Sequence, residues 1–289
     1  MKQIILVVGA TGMLGEPVAR QLEKDGYVVR VFARNIEKAK AKLGASFEYV
    51  RGDVEEPSSL EKAVKGCFGV HISLKGGPKA EAFDRIEHRG TVNISAVSSK
   101  LGVQRITYLS GASVSEENSW FPAAKAKLQA ESAIQGSGVP YTIFRATHFM
   151  ESLPLAVKGN RAFVIGRQPY PVHWLAAGDY ARMVSKSFGL PAAANKRFFV
   201  YGPQSLTMME ALKKYCSIVH PKARVSTMPI WAMSLIGMVS FNPELRFIAE
   251  LMGFFEKVRE TGDPSEANRL LGAPTTTLDQ WCSSRRKQA

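Results

Sequence analysis

A chain of 289 residues can bury a substantial core and fits one or two domains, and its 45% hydrophobic and 22% charged composition excludes a disordered, low-complexity or repeat protein. The net charge of +13, from 38 Lys and Arg against 25 Asp and Glu, is spread diffusely over residues 37–43, Lys196-Arg197 and Arg285-Arg286-Lys287, without a basic recognition helix or aromatic–basic motif; it argues for a basic surface around an anionic cofactor and against nucleic-acid binding. Three scattered cysteines (Cys67, Cys216, Cys282) make neither a disulfide framework nor a metal site, and no apolar run approaches the roughly 18 residues of a membrane span, so a cytoplasmic protein without a metal is expected.

The chain opens with Ile4-Ile5-Leu6-Val7-Val8, an apolar run predicting a parallel strand buried on both faces. Gly9-Ala10-Thr11-Gly12-Met13-Leu14-Gly15 follows, and Leu14, Val18 and Leu22 then recur at helical spacing. A strand turning through glycines into a helix is the place for a dinucleotide pyrophosphate, so Gly9, Thr11, Gly12, Met13, Leu14 and Gly15 are candidate cofactor residues. The second strand, residues 28–33, ends at Arg34, where an NAD-binding fold would place Asp or Glu. A guanidinium cannot accept from a ribose hydroxyl but can clamp a 2′-phosphate, which favours NADP(H).

Further strands are predicted at 47–50, 70–74, 106–109 and 141–144, alternating with helices. That alternation predicts an α/β Rossmann-type doubly wound parallel sheet, whose ligands sit beyond the carboxyl ends of the strands. The residues there are Asp53 and Val54, Ser73 and Leu74, Ser110, and Thr147 and His148. Asp53 is equally suited to accept from the adenine amine or to cap a helix. Residues 1–150 thus read as the NAD(P)-binding domain and 151–289 as a smaller C-terminal α+β substrate subdomain, with about 178–202 returning to the sheet. Trp231, Met233, Met238, Met252, Phe254 and Phe255 fall in the most apolar part of the second half, as a pocket wall or lid for an apolar small-molecule substrate or as ordinary helix packing.

The chain resembles the extended or atypical short-chain dehydrogenase/reductase superfamily, particularly its NmrA-like NAD(P)-binding group. The resemblance is carried by the Gly9–Gly15 loop, Gly52-Asp53-Val54, the run Ile106 through Ser110, Lys127 with Glu131, and the run Ser137 through Arg145. It implies a nicotinamide bound near Ser110, Lys127 and Thr147. One departure is decisive: typical members carry Tyr-x-x-x-Lys, whereas Phe121 stands four before Lys125 and Ala123 four before Lys127. Neither offers a phenolic proton. His148 is a candidate replacement donor, as is His173 in the cap, and Ser110 is a candidate hydrogen-bond donor to substrate or nicotinamide. Two functions follow: an NADPH-dependent reductase of a small apolar carbonyl, conjugated alkene or quinone, with Lys127 orienting the cofactor, or a non-catalytic NADP(H) sensor that regulates a protein partner. Oligomeric state is open.

Overall fold

The computed structural model describes residues 2–286. In chain order it begins β1 (Ile4–Val8), α1 (Gly15–Lys24), β2 (Val28–Ala33), α2 (Ile36–Leu43), β3 (Glu48–Arg51), α3 (Pro57–Val64) and β4 (Gly69–Ile72). A continuous helix follows, made of α4 (Ala80–Ala82), a π-helical stretch (Phe83–Arg89) and α5 (Gly90–Lys100). Then come β5 (Arg105–Gly111), α6 (Pro122–Gly136), β6 (Tyr141–Ala146) and a 3₁₀ stretch, Met150–Ala156. The remainder comprises β7 (Val157–Lys158), β8 (Arg161–Ile165), β9 (Val172–Trp174), α7 (Ala177–Phe188), β10 (Lys196–Val200), β11 (Gln204–Leu206), α8 (Met208–Val219), β12 (Arg224–Met228), α9 (Ile230–Val239), α10 (Pro243–Phe255), α11 (Ser265–Leu271) and α12 (Leu278–Arg286).

Seven strands form one parallel sheet in the order β10-β6-β5-β4-β1-β2-β3. Both faces are covered, which is why β1 is apolar at every position. Ile5 and Val7 face α1 and α7 with Val18, Leu22, Tyr180 and Val184, while Leu6 and Val8 face the opposite layer with Leu60, Ile94 and Ile134. Each large apolar side chain buried this way contributes about 1.5–3 kcal/mol. α7 packs beside α1, Ser185 Oγ donates to Asp25 Oδ2 at 2.6 Å, and β10 joins the sheet beside β6.

The C-terminal layer has its own core of Met150, Leu153, Val164, Trp174, Leu212, Tyr215 and Trp281 around the mixed β7-β8-β12 sheet. A helical hairpin, α9 and α10, projects from it. Phe254 of α10 is buried against Phe121 just ahead of α6, with ring centroids 4.5 Å apart, and Phe247 lies over Phe83 and Phe121. The expected apolar cluster therefore divides: Phe254 is buried, but Trp231 is 69% and Met238 57% exposed on α9. Hydrophobicity alone gave no information on which helix of the hairpin faces inward. Among the described residues, no helix is long and apolar enough to cross a membrane.

Candidate cofactor cleft and active site

The glycine loop is built as its chemistry requires. Gly9 has φ +90°, and a Cβ there would run into the Ser73 carbonyl beyond β4; a Cβ on Gly15 would strike the Gly9 carbonyl. Gly12 differs, since its Cβ would meet only Gly9 O, at 3.1 Å, and would otherwise project into open space. The Gly12 N–H donates to Gly9 O at 2.9 Å, tightening the turn, and Lys42 Nζ donates to Thr11 O at 2.9 Å, tying the loop to α2. Leu14, half-buried against the core, precedes α1 and brings no side-chain acceptor, so the first-turn N–H groups suit an anion. Met13 is exposed on the loop.

Arg34 lies exposed just past β2 and makes no ion pair or side-chain hydrogen bond among the described residues, while its neighbour Asn35 caps α2 by accepting from Lys38 N–H at 2.9 Å. Asp53 Oδ1 accepts from the Glu55 N–H at 3.1 Å, which closes a turn ahead of α3, and its N–H donates to Ser59 Oγ. The carboxylate closes this turn through one oxygen and does not cap α3, whose N-cap residue is Glu56. Val54 and Leu74 pack on Gly90, where any Cβ would press on Val54 Cγ2. Ser73 and Leu74 lie just beyond β4 rather than in it; the Ser73 N–H still donates to Val8 O, at 2.9 Å.

At the carboxyl ends of β5 and β6 a group of charged side chains is drawn inward. Lys127 Nζ is 2.9 Å from Glu87 Oε2, donates to Leu109 O at 3.3 Å, and stands 5.5 Å from the centre of the Tyr108 ring. Burial alone would lower the Lys127 ammonium, but Glu87 and Tyr108 outweigh it and hold the group above its ordinary value. Lys127 is therefore a fixed cation, on a side chain that stays 22% exposed. Ser110 Oγ donates to Glu131 Oε1 at 2.6 Å. Arg145 grips the same carboxylate through Nε (3.0 Å) and Nη2 (2.7 Å), so Glu131 is a clamped acceptor rather than a free base. Lys125, the other lysine in the helix, points to solvent, and Phe121 is committed to the aromatic cluster.

Thr147 is buried with its N–H on Val200 O, and its Oγ1 has no partner among the described residues. His148 packs between Trp174 and Phe255, with ring centroids at 5.9 and 4.5 Å. Burial pushes its imidazole down to about 4, so at neutral pH it is uncharged and a weak acid. His173 is engaged elsewhere: its Nδ1 lies 2.7 Å from Glu260 Oε2 and its ring stacks on Tyr201.

Glu87 and Tyr108 were not singled out from the sequence. A signal for Glu87 exists, because Phe83, Glu87, Gly90, Ile94 and Val97 share one helical stripe and a carboxylate in an apolar stripe demands a partner. Among the described residues no cluster of ligating side chains could hold a metal ion.

These features fit a dinucleotide: a glycine loop with Gly12 open to solvent, a guanidinium past β2 without a partner among the described residues, an orphaned threonine hydroxyl, and a partly exposed lysine beside the carboxyl end of β5. They define a Rossmann-type dinucleotide-binding protein. The chain belongs to the NAD(P)H-binding family, whose profile matches residues 9–162. It is 23% identical over 257 residues to the photosystem II assembly factor Ycf39 of Trieres chinensis, covering 87% of this chain and 76% of the relative. It is 24% identical over 285 residues, 96% of each chain, to the (4-alkanoyl-5-oxo-2,5-dihydrofuran-3-yl)methyl phosphate reductase of Streptomyces griseus. Its fold matches the crystal structure of the Citrobacter sp. triphenylmethane reductase complexed with NADP(H), with a TM-score of 0.78, 20% identity and coverage of 98% and 99% of the two chains.

Proposed function

We propose that the protein is an NADPH-dependent reductase of small, apolar, conjugated acceptors such as quinones and enones. The observation that carries this reading is Lys127, held as a permanent cation on a partly exposed side chain, in a helix that lacks the phenol of a carbonyl reductase. NADPH when bound supplies a hydride. A quinone or enone that accepts it becomes a resonance-stabilised anion, which a nearby ammonium stabilises and which solvent can protonate. An isolated ketone yields a far more basic alkoxide and needs a proton donor in the transition state. Lys127, whose proton is held more tightly than usual, and His148, which is neutral, are both poor donors.

Phe255, half-buried beside His148 and Phe254, brings an aromatic ring to this end of the sheet, which favours an apolar acceptor over a polyol. The names of the relatives agree with the reductase reading, since two of them are reductases of unsaturated or aromatic molecules. Arg34 supports NADP(H) over NAD(H). A second reading, a redox-responsive partner of another protein, is favoured by the exposed apolar side of α9 and by the assembly-factor relative.

The test is loss of NADPH absorbance with a panel of quinones, enones and aldehydes. Quinones or enones should be reduced and simple aldehydes not, and Lys127→Met should lower turnover beyond any loss of cofactor affinity. Tight NADPH binding with no oxidation by any acceptor would transfer the assignment to the partner-binding reading.

A further inference from the structure

The helix before β5 contains a seven-residue π-helical stretch, Phe83–Arg89, closed by an i+5 bond from the Gly90 N–H to Arg85 O. Wide turns of this kind recur at functional sites because they shift side chains off the regular helical register. Here the stretch delivers Glu87, a carboxylate that is 2% exposed, between two parts of the cleft. Its Oε1 accepts from the Gly76 N–H at 2.6 Å, in the loop after β4, and its Oε2 lies 2.9 Å from Lys127 Nζ on α6. Gly76 itself is pressed on Phe83, where a Cβ would come within 2.7 Å of the ring, so loop and π-helical stretch are fitted together.

From this geometry we infer that Glu87 is a positioning residue, joining the loop after β4 to Lys127 and keeping the ammonium aimed at the nicotinamide end of the cleft. The inference rests on the reading of Lys127 as a cofactor-binding cation. A buried carboxylate costs free energy unless it is paired, and Glu87 spends both its oxygens on two elements that border the same cleft. The groups facing Lys127 are Glu87 from the π-helical stretch, Tyr108 from β5 and Glu131 from its own helix. Glu131 is bound to Ser110 and Arg145, with Arg197 at 3.8 Å, and the Tyr108 hydroxyl has no partner among the described residues. Glu87 is thus the one charge among them, within the described residues, that is paired directly to Lys127. Without it, burial would lower the affinity of Lys127 for its proton, and the cation would be lost on the alkaline side of neutrality.

The experiment is NADPH affinity of the full chain by fluorescence titration between about pH 6 and pH 10, for native protein, Glu87→Gln, Glu87→Asp, Lys127→Met and the Glu87→Gln/Lys127→Met pair. Native affinity should hold to the alkaline end of that range. Glu87→Gln should bind about ten-fold more weakly at its alkaline end than at its acid end, and Glu87→Asp should shift the loss back toward higher pH. In the double variant Glu87→Gln should add nothing to Lys127→Met. If Glu87→Gln does not fold, Glu87→Asp and the double variant carry the same comparison, because removing both charges leaves no unpaired ion. An equal loss at every pH, an unchanged affinity, or full additivity with Lys127→Met would overturn the inference. Because binding is the readout, a protein that reduces no acceptor still decides it, whereas native protein that binds no NADPH sinks the cofactor reading and this one together.

Discussion

Gly9, Gly12 and Gly15 look alike in sequence and differ in what they do. Side chains at Gly9 or Gly15 would collide with fixed backbone, whereas one at Gly12 would enter the cleft. Gly12→Val should therefore fold with nearly native thermal stability and fail to bind dinucleotide, while Gly9→Val should lower the melting temperature sharply. In the same titrations native protein should prefer NADPH over NADH by at least about ten-fold, the worth of one good phosphate clamp at ~1.4 kcal/mol, and Arg34→Asp should remove that preference. Equal affinity of native protein for both cofactors would show that Arg34 meets no phosphate. Lys127 demands more care, because its removal also strands Glu87 as a buried unpaired charge, at a cost of about 3–5 kcal/mol; its activity loss is interpretable only beside a stability measurement.

At the level of elements, the α9–α10 hairpin is tied to the nucleotide-binding layer through few rings: Phe254 on Phe121 and Trp120, Phe247 on Phe83 and Phe121, and Phe255 on His148. Phe254→Ala should cost about 3–5 kcal/mol locally. Hydrogen exchange should then quicken across residues 230–258 while β1, β4 and β5 stay protected; uniform loss across the sheet would mean that the hairpin and core unfold as one. The sequence makes the sheet legible because strands covered on both faces are continuously apolar, as in Ile4–Val8, and because the glycine loop has few alternative uses. It puts Lys127 on a helix and Thr147 just past a strand, sets Ser110 beyond a strand that runs on to Gly111, and does not disclose the partners of any of them. Glu87 escapes because a carboxylate in an apolar helical stripe does not reveal that its partner is Lys127, on a separate helix, and Tyr108 because a phenol inside an apolar strand reads as core. The exposed side of α9 escapes for the opposite reason: Trp231, Leu235, Met238, Val239 and the 92%-exposed Phe241 at its tip have a composition that signals burial.

The molecule as a whole stores its polar side chains in a way that sets its response to acid. His71 is fully buried between the sheet and α7, with Nδ1 on Thr107 Oγ1 at 2.9 Å and Nε2 without a partner among the described residues, and burial pushes it down to about 3. His148 is held at about 4 by the same cause. Above an ordinary imidazole value near 6.5, both states of the chain carry these residues neutral and they contribute no pH dependence. Below it, the unfolded chain binds protons that the folded chain refuses, so stability falls as pH drops from about 6.5 and the loss is complete only below about 3 to 4. Each tenfold difference in proton affinity is worth about 1.4 kcal/mol, so both histidines act to lower stability in acid. Glu151 acts in the opposite sense, since burial raises its carboxyl and the folded state takes up that proton first, offsetting part of the loss. Urea denaturation from pH 8 to pH 4 should show the midpoint falling below about pH 6.5. His148→Phe, which keeps an aromatic ring between Trp174 and Phe255, should leave stability at pH 8 within about 1.5 kcal/mol of native and make the acid decline shallower. An unchanged acid slope in that variant would mean that water reaches the His148 ring and that the aromatic wall does not close over it.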